Sequence, residues 1–316
     1  MGRITVSQAA SLLRQAQDIL ILTHKSPDGD TLGCGFALLR GLQAMGKRAR
    51  VECSDPITEK FAYLLPESPM EDFEPSYVVA VDIADTSLLG SKLSCWGDQV
   101  DLCIDHHPSN NNYAKELLLE DDSAAACEVI LEVLDELGIT ITQEIADCLY
   151  TGIATDTGCF KYSNTTVRTH QMAARLMECG CHFQKINERM FETVTRQRMA
   201  VEKDALETLE YHFDSRCAIM RLDRDMIERN GASEDDLEGL SSIPRQIEGV
   251  EAGVTMKQNK ERTGYKISMR TTDKVNASEA CMKLGGGGHF RAAGCMITGD
   301  FDSAREKILE ALKEQF

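Results

Sequence analysis

Three potential metal ligands, His24, Asp28 and Asp30, fall inside the single stretch His24-Lys25-Ser26-Pro27-Asp28-Gly29-Asp30. Imidazole and carboxylate donors together suit Mn²⁺, Zn²⁺ or Fe, whereas Mg²⁺ and Ca²⁺ prefer oxygen alone. Further along, Asp82, the triplet Asp105-His106-His107 and Asp156 each stand where an apolar run gives way to a loop. Taken together, His24, Asp28, Asp30, Asp82, His106 and Asp156 are too many donors for one catalytic ion that must keep an open position. They point instead to two ions sharing a bridging carboxylate. Such a centre activates water for hydrolysis and needs no nucleophilic side chain.

The elements that must position these residues are readable from apolar patterning. Asp18–Thr23, Tyr77–Asp82 and Val100–Ile104 read as buried parallel strands, and each runs directly into one of the candidate ligands. Thr31–Met45 reads as a helix with Leu32, Phe36, Leu39 and Leu42 on one face, and Ile145–Ile153 as a helix leading to Asp156. Ligands at the carboxyl ends of strands are the arrangement of open α/β sheets. The alternation predicts an α/β fold: a doubly wound, mostly parallel sheet over residues 1–186, then a charged connecting helix over 187–212. A second, smaller α/β domain follows over 213–316, with the active site expected in the cleft between the two domains. Its strands are expected near 217–222, 251–256 and 265–270, and its helices near 233–240, 277–284 and 303–312.

The run Gly285-Gly286-Gly287-Gly288 followed by His289 carries separate information. Consecutive glycines are not expected to stabilise an element, so they predict a loop where side chains would obstruct a ligand. Backbone N–H groups in such a loop cradle phosphate, with His289 as an added donor. Phe160 and Tyr162 are candidates for stacking on a base, with core packing the alternative.

Bulk properties narrow the partners. With 34 basic against 51 acidic residues and a net charge of −17, the chain lacks the basic track that a long nucleic acid requires. The twelve cysteines are scattered without a CxxC pair, which reads as buried reduced thiols. No segment has the apolar length of a membrane span and the N-terminus lacks a signal-peptide core, so a cytoplasmic protein with no membrane partner is expected. Cys179-Gly180-Cys181-His182 reads as a helix end and not as a metal cluster.

The segment His24–Asp30, the isolated Asp82, the Asp105-His106-His107 triplet and Asp156, together with Gly285–His289, resemble the signatures of the DHH phosphoesterases and of their associated C-terminal domain. The resemblance spans nearly the whole chain and is nearest to the nanoRNase and pAp phosphatase branch. It implies a homodimeric, Mn²⁺-dependent enzyme acting on short RNA, linear dinucleotides and 3'-phosphoadenosine 5'-phosphate (pAp). It makes His24, Asp28 and Asp82 ligands of one ion and Asp30, Asp82, His106 and Asp156 ligands of the other. His107 then faces the scissile phosphate, as oxyanion stabiliser or as partner of the leaving oxygen, and Asp105 orients the histidines. Arg270 and Asn276 join Gly286, Gly287, Gly288 and His289 as substrate-binding residues. At Ser123–Glu128 the chain has Ser-Ala-Ala-Ala-Cys-Glu where the resemblance leads one to expect a hydroxyl-rich stretch. A cyclic-dinucleotide phosphodiesterase is the alternative reading. A family II inorganic pyrophosphatase would carry an Arg/Lys-rich segment that is absent, and a non-catalytic nucleotide sensor would lack ligands that are present.

Overall fold

Ile19-Leu20-Ile21-Leu22 and Tyr77-Val78-Val79-Ala80-Val81 have no polar side on which to meet water, so they form strands covered on both faces. The computed structural model describes residues 2–316. It divides into two units, one running to Thr193 and the other Val194–Phe316.

The sheet of the first unit contains β1 (Gly2–Arg3), β2 (Ile19–Leu22), β3 (Ala49–Glu52), β4 (Tyr77–Val81), β5 (Leu102–Asp105) and β6 (Glu116–Leu119) in the order β1-β6-β5-β4-β2-β3. Every pairing in it is parallel. The chain leaves β2 toward β3 on one side and, after returning, leaves β4 toward β5 on the other. Between β2 and β4 the strand order therefore reverses, and the crevice outside their carboxyl ends is the place such sheets reserve for ligands.

The helix Gly29–Ala44 was expected to present one apolar face, yet Asp30, Cys34, Ala37 and Leu38 are as completely buried as Leu32, Phe36, Leu39 and Leu42. It lies between the sheet and the helices Ala126–Glu136 and Gln143–Asp156, so from Gly29 to Leu39 no face is left for solvent and only its last turn reaches the surface. Glycines permit the close approach. A Cβ on Gly33 would sit 2.5 Å from the Cys148 carbonyl oxygen, and one on Gly152 would sit 2.5 Å from Asp30 Oδ1.

The second unit holds β7 (Glu210–His212), β8 (Cys217–Leu222), β9 (Ala252–Gln258), β10 (Gly264–Thr271), β11 (Gly287–His289) and β12 (Ala292–Thr298), in the order β11-β12-β10-β9-β8-β7. Only β8 and β9 pair in parallel. Ile219, Val254, Ile267 and Met269 pack with Ala277, Ala280 and Ile308 from the helices Ala277–Lys283 and Phe301–Leu312. Val201 and Ala205 pack with Met220 and Leu222 in a separate cluster. Within 187–212 the chain ends one helical stretch at Glu192, starts the helix Arg196–Leu206 under a Thr195 cap, and enters β7.

Two expectations for this unit need correction. Residues 233–240 hold only a short 3₁₀ turn, Asp235–Leu237, because Gly239 at φ 77° breaks the run, and the helix of this region is Arg224–Arg229. The glycine run does enter an element: β11 pairs with β12, and a Cβ on Gly288 would stand 2.6 Å from the Ala292 carbonyl oxygen. The glycines serve close backbone approach within a hairpin. Among the described residues no helix is long and apolar enough to cross a membrane.

Gly33 supplies a test of this packing. On helix propensity alone, Gly33→Ala should stabilise by about 1 kcal/mol. The contact with a backbone oxygen should instead impose an overpacking cost of about 1–3 kcal/mol. Urea unfolding is expected to show net destabilisation; a stabilised variant would mean the helices are not held this close.

Candidate metal centre

Each candidate ligand sits at the end of an element. His24 follows β2, Asp28 caps the helix Gly29–Ala44, and Asp30 lies in that helix's first turn. Asp82 follows β4, His106 and His107 follow β5, and Asp156 closes the helix Gln143–Asp156. Asp82 takes a left-handed backbone (φ 57°), rare for a residue other than glycine.

His24 Nε2 lies 3.6 Å from Asp28 Oδ1 and 3.6 Å from Asp82 Oδ2. On the other side, His106 Nε2 lies 3.6 Å from Asp82 Oδ1, 3.8 Å from Asp30 Oδ2 and 3.3 Å from Asp156 Oδ2. Asp82 thus turns one oxygen to each imidazole. These spacings are long for hydrogen bonds. They are near what donors about 2.0–2.2 Å from a common centre require, roughly 3–3.5 Å apart. Asp82 Oδ1 and His106 Nε2 are buried without any hydrogen-bond partner, the condition a bound cation would relieve. A cavity of about 320 Å³, lined by His24, Asp28, Asp82, His107 and Asp156 among others, opens onto the cluster.

The surrounding hydrogen bonds set the tautomers. His24 Nδ1 donates to the Lys25 carbonyl (2.8 Å) and His106 Nδ1 to the Ser123 carbonyl (3.1 Å), so that in the neutral rings both Nε2 atoms would be the lone-pair donors. His107 Nδ1 donates to Asp105 (2.9 Å), whose buried carboxylate also accepts from Asn110 (2.6 Å). Asp105 therefore orients the ring of His107, while the ring of His106 is oriented by a main-chain carbonyl. Asp30, fully buried, accepts from the backbone N–H of Ala126 (2.6 Å) and Cys127 (2.9 Å) at a helix start.

Burial alone would lower the imidazoles, but Asp28 and Asp82 outweigh it and push His24 up to about 11. Asp156, Asp30 and Asp82 likewise push His106 up to about 10 against its burial. Burial, with repulsion from Asp28 and Asp156, raises Asp82 to about 6, and burial with Asp82 and Asp156 raises Asp30 well above its usual range. The carboxylates are in excess, and protons take the place of a cation. Cys34 and Cys127 also lie beside Asp30, and burial pushes both thiols up.

In the second unit, the register β10-β12-β11 places Arg270 opposite Ala292 and Ala292 opposite His289. Directly paired residues share a sheet face, so Arg270 and His289 stand on one face about 10 Å apart with only an alanine methyl between them. Asn276 caps the helix Ala277–Lys283, accepting from Glu279 N–H at 3.1 Å, and its main-chain N–H donates to Gln315 Oε1. Gly286 precedes the hairpin strand that contains Gly287 and Gly288. Phe160 stacks on His170 (5.2 Å) beside the core, whereas Tyr162 is exposed.

Sequence reasoning passed over Thr31, whose hydroxyl donates to the Val81 carbonyl and accepts from His24 N–H, tying the ends of β4 and β2 together. It also passed over Asn110 and the main chain of Ser123–Cys127. A buried threonine and a backbone carbonyl carry no signature in sequence.

Residues 18–153 match the DHH family, N-terminal domain, and residues 215–316 match the DHHA1 domain. A bifunctional oligoribonuclease and PAP phosphatase NrnA from Thermus thermophilus is 32% identical over 306 residues, covering 94% of this chain and 90% of its own length. An exopolyphosphatase-related protein from Bacteroides fragilis shares the fold at TM-score 0.87 and 22% identity, over 98% of this chain and 95% of that one. RecJ from Thermus thermophilus, solved in complex with Mn²⁺, shares it at TM-score 0.58 and 15% identity, over 98% of this chain and 55% of that one.

The raised imidazoles predict proton release on metal uptake. His24 and His106 hold protons in the metal-free protein up to about pH 11 and 10. A ligand imidazole must be neutral, so uptake at neutral pH should expel protons and apparent affinity should climb with pH through the alkaline range. Calorimetric titration of Mn²⁺ in buffers of different ionisation enthalpy measures this directly. Heats independent of buffer would contradict the assignment of the two histidines as ligands.

Proposed function

Because the chain belongs to the DHH family and joins a DHHA1 domain to that domain, we propose that it is a Mn²⁺-dependent phosphoesterase of short oligoribonucleotides, linear dinucleotides and pAp. A hydrolase acting on phosphoester bonds is what its relatives support in general. The observation that carries the finer reading is Asp82, one carboxylate facing two histidine–aspartate clusters, with Oδ1 buried and unpartnered.

In this reading His24, Asp28 and Asp82 hold one divalent ion, and Asp30, Asp82, His106 and Asp156 hold the other. Two such ions, when bound, make a water acidic enough to attack phosphorus and neutralise charge on the phosphoryl oxygens. The chain's own residues do the rest. Asp82, in a left-handed backbone conformation, turns one oxygen to His24 and the other to His106. Asp105 holds Nδ1 of His107 and raises its pKa, leaving Nε2 as the atom that would offer a proton to substrate. That proton serves either a phosphoryl oxygen or the leaving oxygen. Arg270, Asn276, Gly286, Gly287, Gly288 and His289 are the substrate-binding residues of the second unit. Arg270 and His289, on a shared face, suit a phosphate or a base. The net charge of −17 supports short substrates over long RNA. A homodimer completes the reading, on family resemblance alone.

A panel of pAp, pApA, a cyclic dinucleotide, pyrophosphate and long RNA, assayed with Mn²⁺, tests it. Turnover is expected for pAp and pApA, little for the others, and none for any substrate in Asp82→Asn. Preference for pyrophosphate or the cyclic dinucleotide would replace this reading with one of its alternatives, and parental turnover in Asp82→Asn would sink the shared-carboxylate centre.

His289→Ala probes the second unit by itself. Loss of a charge-assisted contact costs about 1.5–3 kcal/mol, or roughly tenfold to a hundredfold in kcat/KM on pAp and pApA. The minimal substrate bis-p-nitrophenyl phosphate should be hydrolysed as by the parent. Equal damage to both substrates would place His289 in the catalytic centre or in the fold.

A further inference from the structure

The segment Ser123–Cys127 acts through its main chain. The Ser123 carbonyl holds His106 Nδ1, and the N–H groups of Ala126 and Cys127 hold Asp30. Two members of the cluster Asp30, His106 and Asp156 therefore depend on where this short piece of chain lies. The third, Asp156, ends the helix Gln143–Asp156, whose last carbonyls have no partner within the helix. One side chain joins them. Asn164 Nδ2 donates to the Ala124 carbonyl at 3.0 Å and to the Asp156 carbonyl at 3.2 Å.

Only an amide nitrogen offers two hydrogens from one short side chain to two carbonyls. Aspartate here would set its oxygens against both carbonyls, and alanine would leave both without this donor. The cluster His24, Asp28 and Asp82 is tied separately, by Thr31 between His24 N–H and the Val81 carbonyl and by N–H groups of its own helix on Asp28, so Asn164 reaches none of its members. The segment also keeps other anchors, since Glu128 accepts from Ala124 N–H and Arg168 reaches Ser123 Oγ. Loss of the Asn164 bonds should leave the segment in place and free only its spacing to Asp156.

We propose that Asn164 is a positioning residue for one of the two ions, setting the distance between Asp156 and the pair Asp30 and His106 without touching their donor atoms. The proposal rests on the two-ion reading above. Its test is a titration of Mn²⁺ into metal-free protein, with free Mn²⁺ followed by electron paramagnetic resonance, for the parent and for Asn164→Ala, Asn164→Asp and Asn164→Ser. The parent should take up two ions. Asn164→Ala should keep one binding step and weaken the other by about tenfold to a hundredfold, the usual cost of losing an outer partner of a metal ligand. Asn164→Asp should lose at least as much, and Asn164→Ser, which retains one donor hydrogen, should fall between. Equal weakening of both steps, or a lowered unfolding temperature with unchanged binding, overturns the proposal. A parent that takes up a single ion overturns the two-ion reading, and the selectivity of Asn164 with it.

Discussion

Repulsion among Asp28, Asp30, Asp82 and Asp156 is the constraint around which the first unit is organised. Four carboxylates share one crevice with three imidazoles, His24, His106 and His107, and Asp30 and Asp82 are almost wholly removed from water. Without a cation this arrangement is relieved only by protons, and the raised values of His24, His106 and Asp82 record that. The same repulsion becomes affinity once a divalent ion arrives, because the ion recovers the desolvation already imposed by folding.

Such a cluster persists only if the chain around it cannot relax. Three features supply the stiffness. Parallel strands deliver β2, β4 and β5 to a common edge, and Thr31 ties the first two of these together across the switch point. Glycines at 33 and 152 let two helices approach closely enough to bury Asp30 beneath a third. The start of that third helix then satisfies Asp30 with two N–H groups, so the carboxylate is buried yet not orphaned.

The second unit solves a different problem with similar economy of side chains. Its glycine-rich hairpin lies at the sheet edge, where a Cβ at Gly286 or Gly288 would run into β12. In the register only Ala292 stands between Arg270 and His289. The hairpin is fastened to its neighbouring helix by Ser278, which donates to the Gly288 carbonyl, and by Ala277 N–H on the Phe290 carbonyl.

Much of this was legible in the chain. Apolar runs ending in aspartate or histidine mark strands that stop at a polar edge, and their period and order sufficed to place His24, Asp82 and His106 at one end of one sheet. The residues that were not legible work through geometry that sequence does not encode locally. The burial of the helix Gly29–Ala44 on every side as far as Leu39 depends on partners more than a hundred residues away. Whether four glycines make a loop or a strand depends on a partner strand at the right distance. His106 is oriented by a carbonyl, and any residue at 123 has one. Residue type and spacing thus determined which donors this protein has and where along the chain they cluster, since ligand chemistry belongs to side chains. Tertiary structure alone decided which oxygen of Asp82 faces which histidine, and which main-chain groups hold the donors, because those contacts exist only once distant segments share a surface.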